Sequence, residues 1–143
     1  MNHRTVARIA LGYLALFSAQ IGFWALFAPR SFYDDFPGLG RMWIAIDGPF
    51  NEHFIRDVGA LNLALLVLLV ATFVLLSRQL LVVSAGAVLA WGVPHAIYHL
   101  ANTDGIATSD AVLSIGGLIF FALLGFVLLA AASRTEPEAT AIG

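Results

Sequence analysis

The chain of 143 residues contains no cysteine and few charged residues. The absence of cysteine excludes disulfide exchange, thiolate metal ligands and thiol nucleophiles. The sequence also contains no phosphate-binding loop, nucleophile elbow or dinucleotide fingerprint. Charged residues make up 11% of the chain, compared with about 25% in typical soluble domains. The net charge of -2 is too small to indicate a polyanionic partner, so we expect no nucleic-acid binding.

Apolar residues dominate the rest of the composition. Hydrophobic residues make up 60% of the chain, and its mean hydropathy is +0.90. Four apolar runs cover about residues 6–27, 54–76, 80–100 and 111–132. Each run is long enough for a helix to cross about 30 Å of hydrocarbon, and none alternates like a membrane strand. The sequence therefore predicts an all-α fold, a four-transmembrane-helix bundle in contact with the lipid bilayer.

The segments outside these runs differ in character. Residues 28–53 mix aromatic side chains with glycine and acidic residues. Aromatic rings favour the headgroup region of a membrane, so we expect an interfacial outer loop that caps the bundle. It serves either as a simple anchor or as a lid over a functional site. Residues 1–133 would then form one four-span domain, and the polar residues 134–143 a disordered cytoplasmic tail.

The arginines favour one orientation in the membrane. The positive-inside rule counts basic residues beside the spans, and here four lie on the side of the termini against three on the other side. We therefore predict a multi-pass membrane protein with both termini in the cytoplasm. The inner set comprises Arg4, Arg8, Arg78 and Arg134, and the outer set comprises Arg30, Arg41 and Arg56.

Two pairs of ionisable residues are the main candidates for a functional site. His53 and Asp57 begin the second span, and His95 and His99 end the third, where Pro94 precedes them. Residues four apart share a helix face. Ionisable side chains are costly within a bilayer, so they indicate function there by default. Both pairs belong to the same end of the bundle.

The spacing predicts that the two pairs converge. A short turn makes spans two and three antiparallel neighbours, and four residues of helix rise about 6 Å. His53 and His99 would then share an outer layer, with Asp57 and His95 one turn deeper and Glu52 nearby. Helix bundles build metal sites from such inward side chains. Without thiolates, the nitrogen and oxygen ligands suit zinc, iron or copper.

Two other interpretations of these residues stay open. One is haem held by two histidines, one from each helix, as in an electron-transfer module; this is less favoured than a metal ion. The other is purely structural, because His–Asp and Glu–Arg pairs at an interface neutralise each other and fix helix packing. The His-x-x-x-His spacing does not by itself decide between them.

Two short segments carry a resemblance to a known family. The first span ends in Phe27-Ala28-Pro29, and the second begins with the charged and small residues Arg56-Asp57-Val58-Gly59-Ala60. With the interfacial loop between them, the chain resembles the small DoxX-like four-helix membrane proteins. The resemblance implies a bacterial plasma-membrane protein tied to respiratory or redox-stress complexes. It carries over no catalytic residue and leaves the role of His95 and His99 open.

The sequence therefore supports two hypotheses for function, and it does not decide whether the protein is an enzyme. The first is an integral membrane protein that binds a transition metal and belongs to a redox or respiratory system. The alternative is a non-catalytic accessory subunit that packs in a larger membrane complex, against other subunits or against itself, with the polar cluster purely structural.

Overall fold

A computed structural model describes residues 2–135. Within this range, four long helices are apolar enough to span a membrane, which confirms the all-α class and supports an integral membrane protein. A short helix and a β-hairpin with two residues in each strand lie between the first two long helices. In chain order, the elements are α1 (His3–Phe27), α2 (Pro29–Asp35), β1 (Pro37–Gly38), β2 (Arg41–Met42), α3 (Glu52–Leu75), α4 (Arg78–Ala101) and α5 (Thr108–Ala132).

Each long helix begins two or three residues before the apolar run that predicts it. Polar capping residues explain most of this difference. The side chains of Asn2, Asn51 and Ser77 accept hydrogen bonds from backbone N–H groups in the first turns of α1, α3 and α4. Such caps satisfy donors that have no partner within the helix. The predicted tail falls mostly on residues 136–143, which lie outside the described residues.

The long helices pack as two antiparallel pairs, α1 with α3 and α4 with α5. Glycines let the backbones approach closely in both pairs. A Cβ atom at Gly59 of α3 would lie 2.5 Å from the backbone nitrogen of Leu26 in α1. A Cβ atom at Gly125 of α5 would lie 2.9 Å from Leu89 Cγ in α4. Small residues at such positions are the usual basis of tight helix packing in membranes.

The two pairs meet through a shared core and one polar contact. Contacts between α1 and α5 join the pairs on one side, whereas α3 and α4 touch less extensively. Near the turn between α3 and α4, the hydroxyl groups of Thr72 and Ser84 form a buried hydrogen bond of 2.7 Å. The fully buried core residues include Leu11, Leu14, Leu69, Val88 and Phe121.

Residues 28–51, here called the cap, cover the end of the bundle where α1 ends and α3 begins. Phe32 is buried against Ile21 and Ile55, so α2 is held by the helices below it. The hydroxyl of Tyr33 donates to the backbone carbonyl of Gly48 and closes the loop upon itself. The predicted interfacial loop is therefore an ordered structure with its own small apolar core.

One ion pair ties the cap to the other half of the bundle. Arg41, in the hairpin, donates to the carboxylate of Asp110 in the first turn of α5. Both side chains are largely covered, with exposures of 32% and 23%. By contrast, the Arg30–Asp34 pair lies on the surface of α2, where the hydrogen bond from Arg30 to Asp34 raises the pKa of the guanidinium. Exposed pairs of this kind contribute little stability.

The close approach of α1 and α3 predicts a large effect of one methyl group. Gly59→Ala should lower the stability of the protein by about 1–3 kcal/mol, because the new Cβ meets backbone atoms that cannot move independently. Gly86→Ala is the matched control, since a Cβ there meets no atom within 4 Å. Thermal unfolding in detergent, followed by circular dichroism, measures both. Equal unfolding temperatures for the two variants would contradict the packing described.

The Arg41–Asp110 pair predicts a local effect on the cap. Asp110→Asn or Arg41→Gln should favour opening of residues 36–50 by about 1.5–3 kcal/mol, the contribution of a charged hydrogen bond. Amide exchange there should accelerate tenfold or more, as measured by hydrogen exchange with mass spectrometry. Asp104→Asn removes the same charge from the neighbouring loop, where Asp104 forms no ion pair with a described residue, and should leave the exchange unchanged.

Candidate functional site

A cavity of about 590 Å³ lies beneath the cap, surrounded by all four long helices. Most of its wall is apolar, and its side-chain polar groups come from α1, the cap, α3, α4 and α5. The lining comprises Phe17, Gln20, Ile21, Phe32, Phe36, Pro37, Trp43, Ile44, Ile46, Asp47, Phe54, Ile55, Val58, Asn62, Trp91, His95, His99, Ile106, Leu113, Ser114, Gly117 and Leu118.

His95 and His99 form a hydrogen-bonded pair in this wall. Their Nε2 atoms are 3.1 Å apart, so one imidazole donates its Nε2–H to the other. Both rings are half-buried, and neither Nδ1 atom has a hydrogen-bond partner among the described residues. The indole of Trp91 packs edge-on against His95, with ring centroids 4.7 Å apart. The pair therefore presents hydrogen-bonding nitrogen atoms within apolar surroundings.

Helix periodicity explains why these histidines face the cavity together. Trp91, His95 and His99 are spaced by four residues and form one stripe on α4. A neighbouring stripe with Gly92 and Ala96 is buried, and a Cβ at Gly92 would lie 3.2 Å from Phe121 of α5. Packing on α5 therefore fixes the rotation of α4. Pro94 lies inside α4 without ending it.

Further polar groups of the wall come from α3 and from the cap. Asn62 is 6% exposed, and its Nδ2 donates to the backbone carbonyl of Val58, 2.9 Å away. The Nε1 of Trp43 is buried and has no hydrogen-bond partner within residues 2–135. Asp47 is the one acidic residue of the lining and belongs to the cap. The apolar wall thus offers a few hydrogen-bonding groups from different elements.

The structure places His53 and Asp57 away from this cavity. His53 Nε2 lies 3.3 Å from Asp57 Oδ2, and the two side chains are 88% and 58% exposed. Asn62, which does line the cavity, follows His53 by nine residues, so it lies about 180° around α3 at 3.6 residues per turn. The pair exists as predicted but faces outwards.

Glu52 is engaged by another partner. Arg56 donates to its carboxylate from Nε at 2.9 Å and lies 2.8 Å from it through Nη2. Arg56 Nη1 also donates to the backbone carbonyl of Leu26, at the end of α1. This network joins the start of α3 to the end of α1 and so contributes to the structure of the capped end.

The predicted convergence of the two pairs is therefore not observed. Within residues 2–135, the structure contains no group of three or more histidine, cysteine, aspartate or glutamate side chains placed to hold a metal ion. The metal site of His53, Asp57, His95, His99 and Glu52 stays a prediction, as do zinc, iron, copper and haem as its occupants. The cavity itself was not predicted, because its wall combines five elements that no local sequence motif connects.

Comparisons of the chain with protein-family models, curated proteins and solved structures found no match. The DoxX-like resemblance thus depends on the residues that suggested it and stays a prediction. The same holds for the plasma membrane as location and for the orientation of the termini. The geometry of the cavity carries the functional argument alone.

Proposed function

We propose that the protein binds a small apolar ring compound with oxygen substituents in the cavity beneath the cap. The observation that carries this proposal is the His95–His99 pair in an otherwise apolar wall. Ligand sites are typically concave and apolar, with a few polar groups that orient the bound molecule, and they measure about 300–1,000 Å³. The cavity volume of about 590 Å³ falls within that range.

The chemistry of the histidine pair favours quinones and hydroquinones as the ligand class. In a neutral pair, the ring that donates its Nε2–H has an Nδ1 that accepts, and the ring that accepts has an Nδ1–H that donates. A ring carbonyl accepts from such a donor, and a ring hydroxyl donates to such an acceptor. The donor and acceptor roles of the two Nδ1 atoms exchange when the pair changes tautomer. The same pair can therefore bind both the quinone and the hydroquinone. A redox or respiratory role would follow from this chemistry.

The aromatic side chains of the wall support the same ligand class. Trp43 and Trp91 line the cavity, together with Phe17, Phe36 and Phe54. Planar rings pack favourably against aromatic faces and edges, beyond the contribution of the buried area. A flat, uncharged ring compound therefore complements this wall better than a polar or charged metabolite does.

The test uses the tryptophan fluorescence of the purified protein. Decylubiquinone should quench Trp43 and Trp91, which line the cavity, in a saturable manner. His95→Phe and His99→Phe keep a ring at each position but remove the hydrogen bonds, so affinity should fall about tenfold, in line with 1–3 kcal/mol for an unpaired polar group. Fluorescence titration in detergent gives the dissociation constants.

His53→Phe is the matched control, because the same substitution lies on the exposed face of α3 and should not change affinity. Unfolding temperatures of all three variants separate lost binding from lost structure. Non-saturable quenching of the wild type, or equal affinity in all variants, would refute the proposal.

The same geometry supports a second candidate, a metal ion held by His95 and His99. Two imidazole ligands of a tetrahedral zinc ion lie about 3.3 Å apart when each Zn–N bond is about 2.0–2.1 Å. The observed Nε2–Nε2 distance of 3.1 Å is close to this value. Because Glu52, His53 and Asp57 lie elsewhere, and because no third acidic or histidine side chain of residues 2–135 is placed to join the pair, water or a second chain would supply the remaining ligands. The accessory-subunit alternative stays a prediction.

Elemental analysis by plasma mass spectrometry decides the metal question. After incubation with zinc, copper or iron salts and removal of the excess, a metal site predicts about one ion per chain. His95→Phe should abolish the bound ion, since one nitrogen ligand is too few for a stable site. His53→Phe should retain it. Loss of the ion in His53→Phe would instead favour the metal site predicted from the sequence, which comprises Glu52, His53, Asp57, His95 and His99.

A further inference from the structure

A second concavity lies between α3 and α4, next to the cavity. This groove has a volume of about 410 Å³ and shares Val58, Asn62 and Trp91 with the cavity. The shared residues place the two spaces side by side. Apart from Asn62 and the indole of Trp91, the wall of the groove is aliphatic.

The groove runs along the helices towards the middle of the bundle. On α3 it extends from Val58 to Leu68, ten residues or about 15 Å of helix. Half the hydrocarbon thickness of a bilayer is also about 15 Å. Leu61, on the rim, is 70% exposed, so the groove opens sideways, where lipid chains surround the protein.

The packing of the helices explains the groove. α3 packs mainly on α1 and α4 mainly on α5, so the faces that α3 and α4 turn towards each other remain partly separate. The Thr72–Ser84 hydrogen bond joins the two helices near their turn. Nearer the cap, the small side chains of Ala64 and Ala87 leave the space between them unfilled.

We propose that the ligand of the cavity carries an apolar chain that lies in this groove, and that the ligand enters sideways from the bilayer. This inference rests on the proposed function, since the ring of the same molecule occupies the cavity. The cap covers the end of the cavity with Phe36, Trp43 and Ile46, whereas the groove leads directly to the lipid. An isoprenoid or alkyl chain on the ring fits the aliphatic wall.

The charges around the cavity disfavour an ordinary phospholipid as this ligand. Among the described residues, no lysine or arginine lines either space, and Asp47 is the charged residue of the cavity wall. A phosphate group would therefore meet a carboxylate and no cation, and the burial of an unpaired charge is costly. An uncharged ring on an apolar chain avoids this cost.

The test compares a ligand with a chain and a ligand without one. Decylubiquinone and the tail-less ubiquinone ring are titrated against the wild type, Ala64→Phe and Ala87→Phe, using tryptophan quenching. Both substitutions place a phenyl ring in the groove, at residues that do not line the cavity. Decylubiquinone should bind at least tenfold more weakly to both variants, while the tail-less ring should bind within twofold of its wild-type affinity.

Ala90→Phe is the matched control, because Ala90 is exposed on α4 and lines neither space. It should bind both probes like the wild type. Unchanged decylubiquinone affinity in both groove variants, or an equal loss in Ala90→Phe, would overturn the inference and leave the groove to bilayer lipid chains. If neither probe binds the wild type in a manner that depends on His95 and His99, the proposed function fails instead.

Discussion

The close contact of α1 with α3 and of α4 with α5 is the constraint on which the rest of the structure depends. Gly59 packs against the backbone of Leu26, and Gly125 packs against Leu89. In each pair, the face with the small residues is therefore in contact with one partner helix. Dispersion forces at short range dominate helix association in lipid, where no hydrophobic effect distinguishes the helix surface from its surroundings. The surfaces that α3 and α4 turn towards each other are left poorly matched, and the groove forms between them.

The position of the polar groups follows from the same arrangement. A half-buried imidazole needs a hydrogen-bond partner, since an unpaired polar group in apolar surroundings costs free energy. His95 and His99 form a hydrogen bond with each other through their Nε2 atoms, and their Nδ1 atoms remain able to bond to a ligand. Thr72 and Ser84 satisfy each other in the same way at the opposite end of the bundle. The first pair faces a cavity, whereas the second is enclosed by the core.

Hydropathy predicts the four long helices because length and apolarity are local properties of the chain. The helix starts differ by two or three residues, since Asn51 and Ser77 begin helices with polar turns that a count of apolar residues excludes. The spacing of four also correctly pairs His53 with Asp57 and His95 with His99. The direction in which a pair faces cannot be predicted from this spacing, because it depends on how the whole helix is rotated relative to its neighbours.

For α3, Gly59 against α1 sets that rotation and turns His53 outwards. For α4, Gly92 against α5 turns the histidines inwards. Neither contact can be read from one helix alone. The same holds for the cavity, whose wall needs the cap and four helices together. Trp43 and Asp47 belong to the wall only because the cap folds back over the bundle.

The ion pair between Arg41 and Asp110 has a consequence for biosynthesis. The two residues are 69 positions apart, and all of α3 and α4 lies between them. During synthesis the hairpin emerges long before its counter-ion, and Arg41 lacks this partner until the first turn of α5 has been made. The cap therefore gains the stabilisation of this ion pair only on a chain that includes the start of α5. An element made early in synthesis thus reaches its complete set of contacts only after α5 has begun to emerge.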